Sequence, residues 1–376
     1  MRNLTLLTDL YEITMMQAYF KNNNKNKMAI FDVFYRKNPM DGGYAISAGL
    51  EQVIEYINNL HFTEDDINYL ASLKIFEDDF LDYLKNFKFT GDIYAIPEGS
   101  VMFPREPMLK VIAPIMEAQF IETAILNILN HQSLIATKAA RICYAAEGDG
   151  IMEFGLRRAQ GPDAGIYGAR AAVIGGCAGT SNVLTGQMFD VPVMGTHAHS
   201  WIMSFDDEYT AFYTYAKLYP MACTLLVDTY DTLNSGVPNA IKVFKQMKKE
   251  GIELKNYGIR LDSGDLAYLS KKARKMLDDA GFKDATITAS NDLDEFLIAS
   301  LKMQGAEITN WGVGTNLITS KDCPSFGGVY KLAAIMEDGE NFTPKIKLSD
   351  NSEKITNPGN KKIYRIYEKE NNKIKA

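Results

Sequence analysis

Two histidines separated by one residue, His197 and His199, stand in the stretch Asp190–Trp201, which reads DVPVMGTHAHSW. Imidazole is the side chain whose ordinary pKa, about 6.5, brings proton and phosphoryl chemistry within reach at neutral pH. The short apolar run Val191–Met194 ahead of them predicts a buried strand that opens into a loop at Gly195-Thr196. A histidine after a strand can equally be a hydrogen-bonded structural residue, so the rest of the chain has to decide between the two.

Reactive residue types recur at comparable positions. Arg157 and Arg158 follow Phe154-Gly155-Leu156, Gly179-Thr180-Ser181-Asn182 closes one apolar run, and Asp228, with Tyr230 and Asp231 nearby, closes another. Arg260, Asp262 and Ser263 come next, then Ser290-Asn291-Asp292, then Gly312-Val313-Gly314-Thr315-Asn316. The bare amides and hydroxyl of Gly312, Gly314 and Thr315 can cradle a phosphate. Arg157 and Arg260 can grip a planar carboxylate or a pyrophosphate, or can be tied up in ion pairs with Asp228, Asp262 or Asp292. Asp228 and Asp262 can orient an imidazole or stabilise positive charge developing on a sugar. The lysines between 242 and 249 and between 271 and 275 fall on expected helices, which argues against Schiff-base chemistry.

These residues need elements that gather them. Strand-like runs cover 151–156, 177–180, 191–195, 223–228, 257–262, 285–290 and 308–313. Helix-like stretches cover 163–174, 182–188, 205–218, 236–249, 265–280 and 294–304. Apolar strands alternating with helices predict an α/β fold with a parallel sheet, and this many predict an irregular parallel (β/α) barrel. A doubly wound open sheet is the second possibility, although no glycine-rich dinucleotide loop follows the first strand. In a barrel all the polar strand ends meet at one face, where active sites are built.

The first 130 residues predict a smaller mixed α/β region. Thr8 is expected to cap a helix with Asp9 and Glu12 at its positive end. Strands are expected over 29–36, 91–96 and 108–112, with helices over 49–60, twice within 63–87, and over 117–140. The net charge of −7 argues against a nucleic-acid partner held by bulk attraction to phosphate. No run reaches the roughly 20 apolar residues that span a bilayer, and the N-terminus carries Asp9 and Glu12 without a small-residue cleavage site, so a cytoplasmic protein is expected. Cys143, Cys177, Cys223 and Cys323 lack paired spacing, which points to neither a disulfide framework nor a zinc site.

Seven stretches, in order, resemble the nicotinate phosphoribosyltransferase family: TDLYEITM from Thr8, EFGLRRAQGPDA from Glu153, GTSN from Gly179, GTHAHS from Gly195, DTYDT from Asp228, RLDSGDL from Arg260 and GVGT from Gly312. The resemblance implies transfer of ribose 5-phosphate from phosphoribosyl pyrophosphate to nicotinate, giving nicotinate mononucleotide in NAD salvage, with ATP as co-substrate through a phosphohistidine. By the match of GTHAHS that histidine is His199 rather than His197, and Asp228 resembles the carboxylate that orients it. Thr196, Ser200 and Arg260, with Arg157, match the substrate side, and Gly312, Gly314 and Thr315 match the phosphoribosyl site, where Asp262 is expected to hold the ribose hydroxyls. Tyr11 resembles an aromatic that stacks on nicotinate from the neighbouring subunit, which implies a homodimer with shared active sites. The leaving pyrophosphate requires Mg2+, whose protein ligands the sequence does not assign.

The expected division is therefore 1–130, a mixed α/β domain contributing to dimer and active site; 131–335, the catalytic barrel; and 336–376, a segment returning toward the N-terminal domain. An arginine facing the ring substituent favours nicotinate over nicotinamide, and quinolinate would want further basic residues. Bacterial members of the family continue past KITNPG, whereas this sequence stops at Ala376. That leaves open a fragment or a short form, and with it a non-catalytic or weakly active homologue that binds the same ligands.

Overall fold

The computed structural model describes residues 2–22, 24–337, 339–351, 354–370 and 373. Two compact units divide the chain: Ile135–Pro324, and Met1–Leu134 together with Ser325–Ala376. Residues 325–335, expected with the barrel, thus fall in the other unit.

Six parallel strands carry the first of these units: β1 (Gly150–Glu153), β2 (Gly179–Thr180), β3 (Thr224–Leu226), β4 (Gly258–Leu261), β5 (Thr286–Ala289) and β6 (Asn310–Val313). Their order in the sheet is β2-β1-β6-β5-β4-β3, so the first strand pairs with the last, as ring closure requires. Register is tight along this arc, for example Thr286 against Gly258 and Asn310 against Gly150. Ile259, Leu261, Ile287, Ala289, Trp311 and Val313 are all within 1% of complete burial. That two-sided burial explains the unbroken apolar runs in the sequence. Helices follow the strands at Pro162–Ile174, Val183–Phe189, Glu208–Leu218, Val237–Lys249, Leu266–Asp279 and Glu295–Met303. Asn182, Asp207, Asp265 and Asp294 cap four of them with side-chain oxygens.

The expected buried strand at 191–195 does not form. Asp190 has a left-handed backbone, Pro192 has no N–H to give, and Val193 and Met194 are 50% and 39% exposed. What remains is a single bridge, Val193 to Thr180, with Thr180 N–H donating to Pro192 O and Met194 N–H to Thr180 O. Among the described residues no ladder joins this segment to β3, and the ring has a seam there. His197 spans it, accepting the Leu226 N–H on Nε2 at 3.3 Å.

The other unit is built on an antiparallel sheet in the order Phe342–Pro344, Gly328–Met336, Met28–Tyr35, Leu109–Pro114, Asp92–Ala95. Met28–Tyr35 lies at its centre and is buried from Ala29 onward, on both faces rather than one. The first helix, Leu10–Lys21, is capped by the backbone of Asp9, not by Thr8. Thr8 instead donates to Glu12, which is fully buried and accepts both the N–H and the hydroxyl of Thr123 at 3.0 Å. The long helix expected over 117–140 is interrupted, forming Ile115–Phe120 and Glu122–Ala145, and Glu12 takes the Thr123 amide in the first turn of the second piece. Burial pushes the Glu12 carboxyl up to about 8.

Candidate active site

Two cavities lie side by side at the C-terminal rim of the barrel. The larger, about 520 Å³, is lined by Thr196 to Ser200, Phe154, Arg157, Ser181, Arg260 and Asp262. The smaller, about 280 Å³, is lined by Arg157, Arg158, Asp262, Ser290 to Asp292, Gly312, Gly314 and Thr315. Phe154, Arg157, Arg260 and Asp262 belong to both. Residues from both sides of the barrel's closure therefore reach one mouth.

The two histidines separate cleanly. His197 is 9% exposed and its ring meets Tyr215 edge-on at 4.6 Å. Burial lowers its pKa to about 4, so it is neutral and free to accept from Leu226. Its carbonyl accepts from Arg260 Nη2 at 3.0 Å. His197 is thus a structural residue that ties the seam to β3 and β4. His199 opens the short helix His199–Met203, and its side chain is 39% exposed. Nε2 lies 3.8 Å from Asp262 Oδ2 and 4.0 Å from Asp228 Oδ1, while Nδ1 is 3.0 Å from the Thr229 hydroxyl.

Asp228 is 1% exposed at its side chain and sits beneath the mouth rather than lining it. Its Oδ2 accepts from Asp262 N–H at 2.8 Å and Ser263 Oγ–H at 2.6 Å, while Oδ1 is buried with no hydrogen-bond partner among the described residues. Asp262 is held in turn by the Ser290 hydroxyl. Arg260 is bonded to a carbonyl rather than to a carboxylate, and its Nε is buried without a hydrogen bond. Burial lowers the Arg260 pKa, with Asp262 and Asp228 opposing the shift. The guanidinium is therefore positioned by the backbone and retains donors for a ligand.

Several polar strand ends serve the fold instead. Asn182 caps its helix and donates to Gly165 O at 3.2 Å, and Asn316 donates to Asp292 O and Leu293 O at 2.7 and 3.1 Å. Thr180 donates to Glu153 at 2.6 Å, and Glu153 also takes the Gly155 N–H, fixing the turn that carries Arg157. A Cβ on Gly312 would lie 2.6 Å from the Phe154 ring, so that glycine leaves room for the aromatic. Phe154, Arg158 and Thr229 were not among the residues expected to act; Arg158 and Thr229 adjoin Arg157 and Asp228, and Phe154 stands three residues before Arg157, so neighbourhood in sequence is the signal they offered. Tyr11 lies in the other unit, on the first helix, 46% exposed, and is not among the residues lining this mouth.

A rim of this make defines the class: a parallel-barrel protein with an arginine-lined mouth at the C-terminal face, where such barrels build their sites. Residues 6–130 match the family model of the nicotinate phosphoribosyltransferase (NAPRTase) N-terminal domain, and 150–371 match that of the nicotinate phosphoribosyltransferase (NAPRTase) family. The chain belongs to the nicotinate phosphoribosyltransferase family. It is 54% identical over 369 residues to the nicotinate phosphoribosyltransferase of Bacillus subtilis, covering 98% of this chain and 74% of that protein. The human nicotinate phosphoribosyltransferase is 33% identical over 418 residues, 96% of this chain and 76% of its own length. The crystal structure of human nicotinic acid phosphoribosyltransferase superposes with a TM-score of 0.78 at 32% identity, covering 87% of this chain and 74% of that one. A nicotinate-nucleotide pyrophosphorylase from Pyrococcus furiosus, at TM-score 0.71 and 23% identity over 96% of this chain and 85% of its own, shares the fold.

Proposed function

We propose that this protein transfers the phosphoribosyl group of phosphoribosyl pyrophosphate to the ring nitrogen of nicotinate, coupled to ATP hydrolysis through phosphorylated His199. The observation that carries the reading is an exposed imidazole, near two carboxylates, lining the larger of two cavities that share both arginines, Arg157 and Arg260. In the larger cavity Arg260, with Thr196, Ser200 and Arg157, takes the nicotinate carboxylate. The Phe154 ring offers a flat apolar face to the pyridine. In the smaller one Gly312, Gly314 and Thr315 take the 5-phosphate, and Asp262 the ribose hydroxyls.

The nicotinate nitrogen attacks the anomeric carbon, and the carbon–oxygen bond to pyrophosphate breaks with its electron pair leaving on the phosphate oxygen. Separately, an imidazole nitrogen of His199 takes the terminal phosphoryl group of ATP, releasing ADP, and water later cleaves the nitrogen–phosphorus bond. Among the described residues no group of three His, Cys, Asp or Glu side chains forms a metal cage. That suits Mg2+ carried in on pyrophosphate, since this ion keeps waters and needs one or two carboxylates. Asp292, an exposed carboxylate lining the smaller cavity, would hold it there, and the ion would neutralise the leaving group. Tyr11, exposed on the first helix, is assigned to stacking on nicotinate in a neighbouring subunit, so the working unit is a homodimer. No helix among the described residues is long and apolar enough to cross a membrane, and the reaction is assigned to the cytoplasm.

The test is product formation. Incubation with nicotinate, phosphoribosyl pyrophosphate, Mg2+ and ATP is expected to give nicotinate mononucleotide by mass spectrometry, with ADP formed alongside. Ligand binding without that product would overturn the reading in favour of a binding homologue.

A further inference from the structure

We propose that Thr229 is a positioning residue for His199, holding the imidazole by Nδ1 so that the ring enters the reaction in one tautomer and one orientation. The proposal rests on the phosphohistidine reading above and adds a residue which that reading does not use. Asp228 and Thr229 are consecutive, yet they address opposite nitrogens of the same ring. The carboxylate Oδ1 lies 4.0 Å from Nε2, and the hydroxyl oxygen lies 3.0 Å from Nδ1. Asp262 Oδ2 adds a second negative oxygen on the Nε2 side at 3.8 Å.

Which nitrogen carries the proton follows from these partners. Two carboxylate oxygens lie 3.8 and 4.0 Å from Nε2, beyond hydrogen-bond length, so they bias the proton toward Nε2 without fixing it there, and the hydrogen bond at Nδ1 completes the choice. A lone pair on Nε2 would meet like charge. Nδ1 then bears the lone pair, and the Thr229 hydroxyl donates to it. One neutral hydrogen bond is suited to the task because it is easily released: when a phosphoryl group approaches, rotation of the Thr229 side chain about Cα–Cβ carries the oxygen off the lone-pair direction and frees Nδ1 to form the nitrogen–phosphorus bond, while the electrons of the breaking phosphorus–oxygen bond leave with ADP. Water could occupy the same place, but its orientation would not be fixed by the chain that also fixes Asp228.

Thr229→Val keeps the shape and removes the donor; Thr229→Ser keeps the donor and removes the methyl. Nitrogen-15 spectra of the ring nitrogens, recorded without ATP at a pH where imidazole is neutral, are expected to show the Nε2–H tautomer in the wild type and in Thr229→Ser. They should show a mixed population in Thr229→Val. One neutral hydrogen bond predicts a fall of about fivefold in the initial rate of His199 phosphorylation from ATP in Thr229→Val, recovered to within about twofold in Thr229→Ser. A wild-type tautomer with the proton on Nδ1, or a Thr229→Val protein with unchanged spectra and rate, would overturn the proposal. If the wild type takes up no phosphate from ATP, the phosphohistidine reading fails, and the spectra still decide whether Thr229 sets the tautomer.

Discussion

The barrel has two kinds of wall, and their difference explains where chemistry is placed. From β3 round to β2 the arc consists of paired, buried strands in continuous register. Between β2 and β3 the segment from Asp190 to Met194 is largely exposed and joined by one bridge, and both rim histidines follow directly. Every strand inside the arc is paired on both sides, so the arc can hold Arg157, Arg260 and Thr315 in fixed relation. The seam leaves backbone without ladder partners and admits side chains, which is why His197 can stand in as a strand's hydrogen-bond acceptor while His199 stays reachable by ligand.

The sharpest way to break this comparison is His199→Ala, which is expected to abolish ATP-linked phosphorylation of the protein altogether. Undiminished acid-labile phosphate on that variant would remove His199 from its assigned role. Next comes the arc itself. Gly258→Ala puts a Cβ 2.1 Å from Thr286 O across the β4–β5 pair and is expected to lower stability by about 3 kcal/mol in denaturant titrations. A wild-type midpoint would mean that the arc yields more readily than described.

Arg260→Ala is expected to reduce nicotinate affinity by about 10- to 150-fold, the worth of one charge-assisted hydrogen bond, and to erase discrimination against nicotinamide. Unchanged discrimination in steady-state kinetics would count against it. His197→Ala leaves the Leu226 N–H without its acceptor and is expected to cost about 1–3 kcal/mol, with faster hydrogen exchange confined to β3. Its pKa of about 4, against an ordinary 6.5, also has a sign. Between those values the unfolded chain binds a proton that the folded one does not, so stability falls as pH drops, and the variant should lose that part of the slope. The smallest effect belongs to Gly195→Ala, whose Cβ meets nothing within 4 Å, and whose stability should stay within about 0.5 kcal/mol of wild type. A large loss there would mean that the seam is as tightly packed as the arc.

Much of the barrel is legible because its strands are short apolar runs with polar ends, a local pattern that survives folding. The run Val191–Met194 has the same composition and forms no strand, since a proline and a left-handed Asp190 act against pairing that composition alone suggests. Thr8 has the right type for a cap, but the buried Glu12 claims its hydroxyl from within the helix. Asn182 and Asn316 resemble site residues by position and are hydrogen-bonded fold residues by contact.

Residue order by itself determined the alternation of strands and helices, the polar rim and the family, because these depend on side-chain type and spacing along the chain. Only the tertiary structure decided which histidine is buried and which is open, that Thr229 and Asp228 divide one imidazole between them, and that the Phe154 ring needs a glycine at 312. Those facts are distances between residues far apart in sequence, set by how the ring closes and where it does not.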